Sequence, residues 1–429
     1  MPCACFFGMR FLISDSDEVN HMKQHADYLL LGGTVIDPVC ERSFRADVAV
    51  GGGKILAIGA DLAYEAVKTL DVSGCYVTPG LIDMHCHCYP TFPFSHDSLP
   101  TIHPDAHMFQ NGVTTAVDAG TCGWQDFPRM KQELIDRAET RVLAFLNIAD
   151  GGMVHMDTED QPTHFHPGVV SEVAKAYADD IVGIKSAHYW VGKPFDATHP
   201  AWASIDATIE AAACAGLPCM IDFQPTLPER SYDKLLLEHL RPGDIHTHMY
   251  AQQFPVLDDH QHVNGFLFKA HERGIRFDLG HGAGSFWLRN AIPAIAQGHV
   301  PDTLSTDLYI DNVAGPVIGL MHVMSKFLCM GLPLERLVAM ATIHPAQVLH
   351  RPELGTLASG SCADVAVLRI IDGPIHFADS GRARMKGDKR LCCMATFRAG
   401  KLVYDPYALS MPDWETAPAP YWVAPGILR

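Results

Sequence analysis

Two histidines one residue apart close the run Val77-Thr78-Pro79-Gly80-Leu81-Ile82-Asp83-Met84-His85-Cys86-His87. Side chains alternate faces along a strand, so His85 and His87 project the same way and Cys86 the opposite way. Two imidazoles converging at a strand end make a seat for a divalent cation. In a chain with 24 histidines, the pair alone is equally two unrelated surface residues. The chemistry therefore depends on ligands from other strand ends.

Such ligands follow in order. The last inward positions of later strand-like segments are Lys185, Asp222, His248, His281 and Asp307. Each has an ordinary explanation when taken alone. His248 or His281 could be a satisfied core histidine, Asp222 could cap a turn, Lys185 could snorkel and Asp307 could be a helix N-cap. Lys185, however, follows Ile181-Val182-Gly183-Ile184, a run that reads as fully buried strand, where an unpaired ammonium is costly. Burial lowers lysine's pKa and populates the neutral amine. That amine can take up carbon dioxide and become a carbamate, an oxygen ligand able to bridge two cations. Asp307, in Leu304-Ser305-Thr306-Asp307, is the carboxylate expected to bind metal and to take a proton from metal-bound water, whose pKa Zn²⁺ lowers to about 7. His281 is expected either to orient a substrate carbonyl or to serve the structure. Loops beyond these strands carry Tyr89, His188-Tyr189-Trp190, Lys193, Thr226, Trp287 and Tyr309. They form either an aromatic mouth for a small ester or amide or packing of a barrel rim.

The elements that would position these residues alternate. Strand candidates are Leu81–His87, Thr114–Asp118, Val142–Asn147, Ile181–Lys185, Cys219–Phe223, Asp244–His248, Arg276–Gly280 and Thr303–Asp307. Helical stretches lie between them, such as Asp126–Thr140, Val169–Tyr177, Ala203–Cys214 and Tyr232–Leu240, with a final pair through Leu320–Leu328 and Leu334–His350. Eight strands alternating with helices predict an α/β protein built on a (β/α)8 barrel. Short β runs broken by glycine turns occupy both ends, predicting a small composite β-sandwich. The expected organisation is an N-terminal extension over 1–24, sandwich over 25–78, barrel over 79–351, sandwich again over 352–405 and a C-terminal extension over 406–429.

Composition agrees with a protein that has much to bury, since 48% of residues are hydrophobic and 19% charged. A formal charge of −17 argues against nucleic acid or an anionic membrane as partner. Thirteen irregularly spaced cysteines do not form a disulfide framework, which favours a reducing cytoplasm. No apolar run approaches the roughly 18 residues of a membrane span. A homo-oligomer acting on a small molecule is expected.

The chain resembles the amidohydrolase superfamily, the urease, dihydroorotase and deacetylase kind, from about Gly32 to Tyr404. The carriers are Val77–His87, Gly183-Ile184-Lys185, Thr247-His248, Phe277-Asp278-Leu279-Gly280-His281-Gly282, Ser305-Thr306-Asp307, Ala341-Thr342-Ile343-His344-Pro345-Ala346, and Gly355-Thr356-Leu357 through Ala363-Asp364. Phe277–Phe286 and the surroundings of Lys185 look closest to the deacetylase-like branch. The resemblance implies two divalent metals, usually Zn²⁺ with Mn²⁺ as another option. His85, His87 and Asp307 would hold the buried metal, carbamylated Lys185 would bridge, and His248 would hold the exposed metal. A bridging hydroxide would attack, with Asp307 as acid/base. One departure stands out: where the family usually places a second-metal histidine, this chain has Asp222. Its carboxylate either ligates through oxygen or leaves a weakened second site. Tyr89 stands where dihydroorotase-like members have a substrate-clamping arginine. The expected activity is hydrolysis of a small-molecule amide or ester. The alternatives are a cyclic-amide hydrolase, a deaminase or an inactive scaffold.

Overall fold

The computed structural model describes residues 24–90 and 98–422. The extension expected over 1–24 thus falls almost wholly outside the described residues, although Gln24 already opens a strand. Residues 423–429 also fall outside them.

Seven parallel strands form one sheet in chain order: Leu81–Cys86, Val113–Ala119, Arg141–Asn147, Ile181–Ser186, Cys219–Ile221, Ile245–His246 and Arg276–Phe277. Nearly every residue of the first four is buried, the pattern of a parallel sheet covered on both faces. The eighth position is a short segment. Thr303 bridges Asp278 and Leu308 bridges Cys86, both in parallel. Backbone bonds from Leu279 N to Thr303 O and from Asp307 N to His85 O add to the closure. The predicted barrel is therefore present, with its last strand reduced to a seam.

Helices cover the outside, among them Pro167–Ala176, Ala203–Ala215, Gly265–Glu272, Leu288–Ala296 and Leu320–Cys329. Three expected helices are shorter or broken. The stretch 126–140 holds only Phe127–Met130 and one wide turn, Lys131–Ile135. Tyr232–Lys234 likewise runs into a wide turn, Leu235–His239. The stretch 334–350 splits into Leu334–Met340 and Ile343–Val348, because Pro345 cannot donate an interior helix bond.

The second unit is one eight-stranded sheet assembled from both ends. Strand Tyr76–Pro79 pairs with Val365–Ala378, for example Val77 with Val367. It folds over a core that includes Leu30, Val48, Ile55, Val77, Val365 and Phe397. Strand Arg384–Arg398 starts ten residues before the expected Met394. With Val365–Ala378 it forms a long ribbon that lies along the barrel helix Leu320–Cys329, where Leu391 N donates to Ser325 Oγ. The turn at the ribbon tip meets the loop after the seventh barrel strand. Ser380 N donates to Phe286 O, and Leu288 N donates to Asp379.

Candidate metal centre

The C-terminal ends of the barrel strands bring His85, His87, Lys185, Asp222, His248 and Asp307 into one buried group. Each histidine is tethered through Nδ1. His85 Nδ1 lies 2.9 Å from Thr247 Oγ1, which itself donates to Asp278 Oδ2 at 2.8 Å. His87 Nδ1 lies 2.8 Å from Thr121 Oγ1, and His248 Nδ1 donates to Gly280 O at 2.6 Å. Every Nε2 is thereby turned inward. His87 Nε2 is 3.1 Å and His85 Nε2 3.6 Å from Asp307 Oδ1, and His248 Nε2 is 3.7 Å from Asp222 Oδ2. Ligand atoms of His85, His248 and Asp307 lie within 4.8 Å of one another. Fixing each imidazole through its outer nitrogen is how proteins orient metal ligands. Burial, and then the charges of Lys185 and the neighbouring histidines, hold His85 well below the usual imidazole range. Its lone pair stays available, and the donor set fits a divalent cation.

Backbone geometry supports this arrangement. His248 and Asp307 both have left-handed φ, 63° and 50°, a region that His and Asp enter more readily than most non-glycine residues. Between them runs Gly280-His281-Gly282. A side-chain carbon at Gly280 would come within 2.3 Å of Thr247 Oγ1, and one at Gly282 within 2.4 Å of Asp307 Oδ2. Only glycine lets this turn thread between the two site residues.

Lys185 is 1% exposed. Among the described residues its nearest polar neighbours are His85 Nε2 and Met220 Sδ, both at 3.4 Å. Burial lowers its pKa against the opposing pull of Asp222 and Asp307. Burial raises the Asp222 carboxyl, but His248, His188 and Lys185 outweigh it and hold it below its ordinary value.

The substrate-side residues distribute differently from expectation. Tyr89 is 2% exposed and sits in the hydrophobic core. Asp118 accepts both Cys88 N and Tyr89 N, turning the chain so that the phenol's charged neighbours are Asp126, Arg129 and Glu133 of the helix layer. It does not line the mouth. His281 is fully buried, with Nδ1 3.0 Å from Gly282 O and Nε2 2.7 Å from Lys326 Nζ. Both ring nitrogens are thus engaged by the protein. Trp190 stacks on His199 at 3.4 Å and donates to Pro194 O, folding the loop on itself. His188 remains at the rim, 42% exposed, with Nδ1 2.7 Å from the buried Glu159. Tyr309 packs edge-on to His87 with ring centroids 6.4 Å apart.

Sequence reasoning quoted Thr247 and Asp278 within motifs but gave them no role, and it missed Thr121, Glu159 and Lys326. Asp278 accepts bonds from Thr247, Thr303 and Ser305 beneath His85. A carboxylate inside Phe277-Asp278-Leu279 was the one available signal, since such a group must find donors.

A barrel with an inward-facing His-His-Asp cluster at its strand ends belongs to the class of metal-site hydrolase folds. Residues 288–403 match the amidohydrolase family model. A deacetylase of Agrobacterium fabrum is 31% identical over 78% of this chain and 81% of its own length. A deacetylase of Enterococcus faecalis is 28% identical over 88% of this chain and 99% of its own. The crystal structure of an adenine deaminase superposes with a TM-score of 0.79 at 26% identity, covering 89% of this chain and 100% of that one. A dihydroorotase structure gives 0.76 at 27%, covering 88% and 99%. The chain belongs to the amidohydrolase superfamily.

Proposed function

We propose that this protein is a metal-dependent hydrolase of a small-molecule amide or ester, with acyl groups such as acetyl as leading substrates. The observation that carries the reading is the tethering of three histidines through Nδ1, which leaves three Nε2 atoms facing Asp307 and Asp222. Two deacetylases among the relatives, each covered over most of its length, support the acyl preference.

His85, His87 and Asp307 would hold one cation, and Lys185, Asp222 and His248 a second. When bound, a divalent cation supplies Lewis acidity toward an acyl oxygen and lowers the pKa of water to about 7. Asp307 is the carboxylate beside the histidine pair and serves as proton carrier, accepting a proton from the attacking water and delivering it to the leaving nitrogen or oxygen. The Lys185 amine, buried beside His85 with no carboxylate paired to it among the described residues, is poised to add to carbon dioxide. The N–C bond forms, one proton leaves, and the resulting carbamate offers two anionic oxygens. Asp222 adds a hard oxygen donor beside His248. His188 stands at the rim, where it meets the substrate, and His281 has a supporting role.

The test pairs metal analysis with a panel of N-acetyl, O-acetyl and cyclic-amide compounds and adenine. Two metals per chain and acyl hydrolysis abolished in Asp307→Asn support the reading. One metal per chain sinks the two-cation form. Turnover confined to cyclic amides or adenine replaces the substrate class, and a wild type as inert as Asp307→Asn across the panel leaves a scaffold.

A further inference from the structure

A second buried lysine lies outside the ligand set. Lys326 sits on the helix Leu320–Cys329 and is 0% exposed. Its Nζ donates to His281 Nε2 at 2.7 Å, Pro316 O at 2.7 Å and Ala378 O at 2.8 Å. Three acceptors match the three N–H bonds of an ammonium, which has no other bond to give. On the other side of the His281 ring, Nδ1 faces Gly282 O at 3.0 Å. A carbonyl only accepts, so Nδ1 carries the ring proton and Nε2 offers the lone pair that Lys326 needs. The ring also stacks on Phe286, with centroids 4.4 Å apart. His281 is therefore fixed in tautomer and in position.

What His281 anchors is the turn on which the site rests. Gly280 O receives His248 Nδ1. Gly282 N donates to Thr306 O, and Gly282 Cα lies where any side-chain carbon would strike Asp307 Oδ2. One residue thus separates the support of a ligand from the wall behind the proton carrier, and that residue is held from below by a single amine.

We propose that Lys326 is a positioning residue: through His281 it sets the Gly280-His281-Gly282 turn, and with it the orientation of His248 and Asp307. Its third bond, to Ala378 O, ties this setting to the ribbon of the second sheet. The effect on turnover rests on the hydrolase reading above, whereas the tautomer does not. A displacement of about 1 Å at a reacting group can cost roughly 100-fold in rate, so the effect falls on kcat.

The test uses the metal-loaded full chain. In ¹⁵N-histidine-labelled protein, the His281 signal, assigned by its loss in His281→Gln, is expected to show a protonated Nδ1 and an unprotonated Nε2. Lys326→Met is expected to keep its metal and to lose about 100-fold in kcat, with KM within about threefold. Added propylamine is expected to recover part of the kcat of Lys326→Ala, while propanol recovers none. A protonated Nε2 in the wild type overturns the proposal, as does a folded Lys326→Met variant with wild-type kcat. Should Lys326→Met fail to fold, the wild-type tautomer alone decides. Should the wild type hydrolyse no acyl compound, the hydrolase reading fails and the tautomer still judges this one.

Discussion

Among the described residues two lysines are fully buried, and their surroundings differ in one respect. Burial lowers the pKa of both; for Lys326 it pulls the value down to about 7, with Asp379 pulling the other way. Lys326 has three acceptors at 2.7–2.8 Å, which favour its ammonium form, whereas Lys185 has one ring nitrogen and one sulfur, both at 3.4 Å. An amine whose protons are all placed is fixed in one role. An amine held only by one ring nitrogen and one sulfur at 3.4 Å among the described residues, beside inward-facing histidines, is left to react. Burial alone therefore does not mark a reactive lysine; the count of its acceptors does.

The contrast can be broken in several ways. Asp307→Asn should have the largest effect on turnover, a loss of at least about 1,000-fold, because it removes both an anionic donor and a proton carrier; steady-state hydrolysis of an acetyl ester reads it. Lys185→Met should cost about 100-fold in kcat yet change stability by less than about 1 kcal/mol, since the amine it deletes has few bonds to lose. Lys326→Met should instead lose about 3 kcal/mol in denaturant unfolding, because three buried acceptors are orphaned. Equal stability losses in the two variants would erase the distinction. Gly282→Ala should lower kcat about 10-fold to 100-fold with its metal retained, through the collision with Asp307.

The smallest effect expected is a pH response at the rim. Desolvation pulls the His188 imidazole down from 6.5, but Glu159, hydrogen-bonded to it, and then Asp222 outweigh this and raise it to about 9. A folded value above the unfolded one means that the contribution is fully present below pH 6.5 and is lost as pH rises through about 9. Protection factors for the amides of residues 188–193, corrected for the base-catalysed rise in intrinsic exchange, should fall between pH 7 and 10 in the wild type and be low throughout in His188→Asn.

The candidate site residues were legible because they lie at or just beyond the ends of apolar strands, where a polar side chain stands out against its surroundings. His85, His87, Lys185, Asp222, His248 and Asp307 all come from such positions, and the strand–helix alternation that gathers them is visible as apolar periodicity. Tyr89 was misplaced because its direction depends on Asp118, a residue of the neighbouring strand that captures two backbone amides. Glu159 and Lys326 were invisible for a related reason. Each meets its histidine across a distance no local pattern encodes, 29 residues for Glu159 and 45 for Lys326. The short last strands were also overestimated. Regular pairing in the sixth and seventh strands covers two residues each, and the chain beyond them leaves ladder geometry to present His248 and the Gly280-Gly282 turn.

The bond from Lys326 to Ala378 O has a practical corollary. A barrel trimmed near residue 351 is expected to turn over more slowly than the full chain. Such a cut would strip the amine of one of its three acceptors and remove Ser380, which braces the loop at Phe286. The outer sheet and the barrel mouth thus share one set of fastenings.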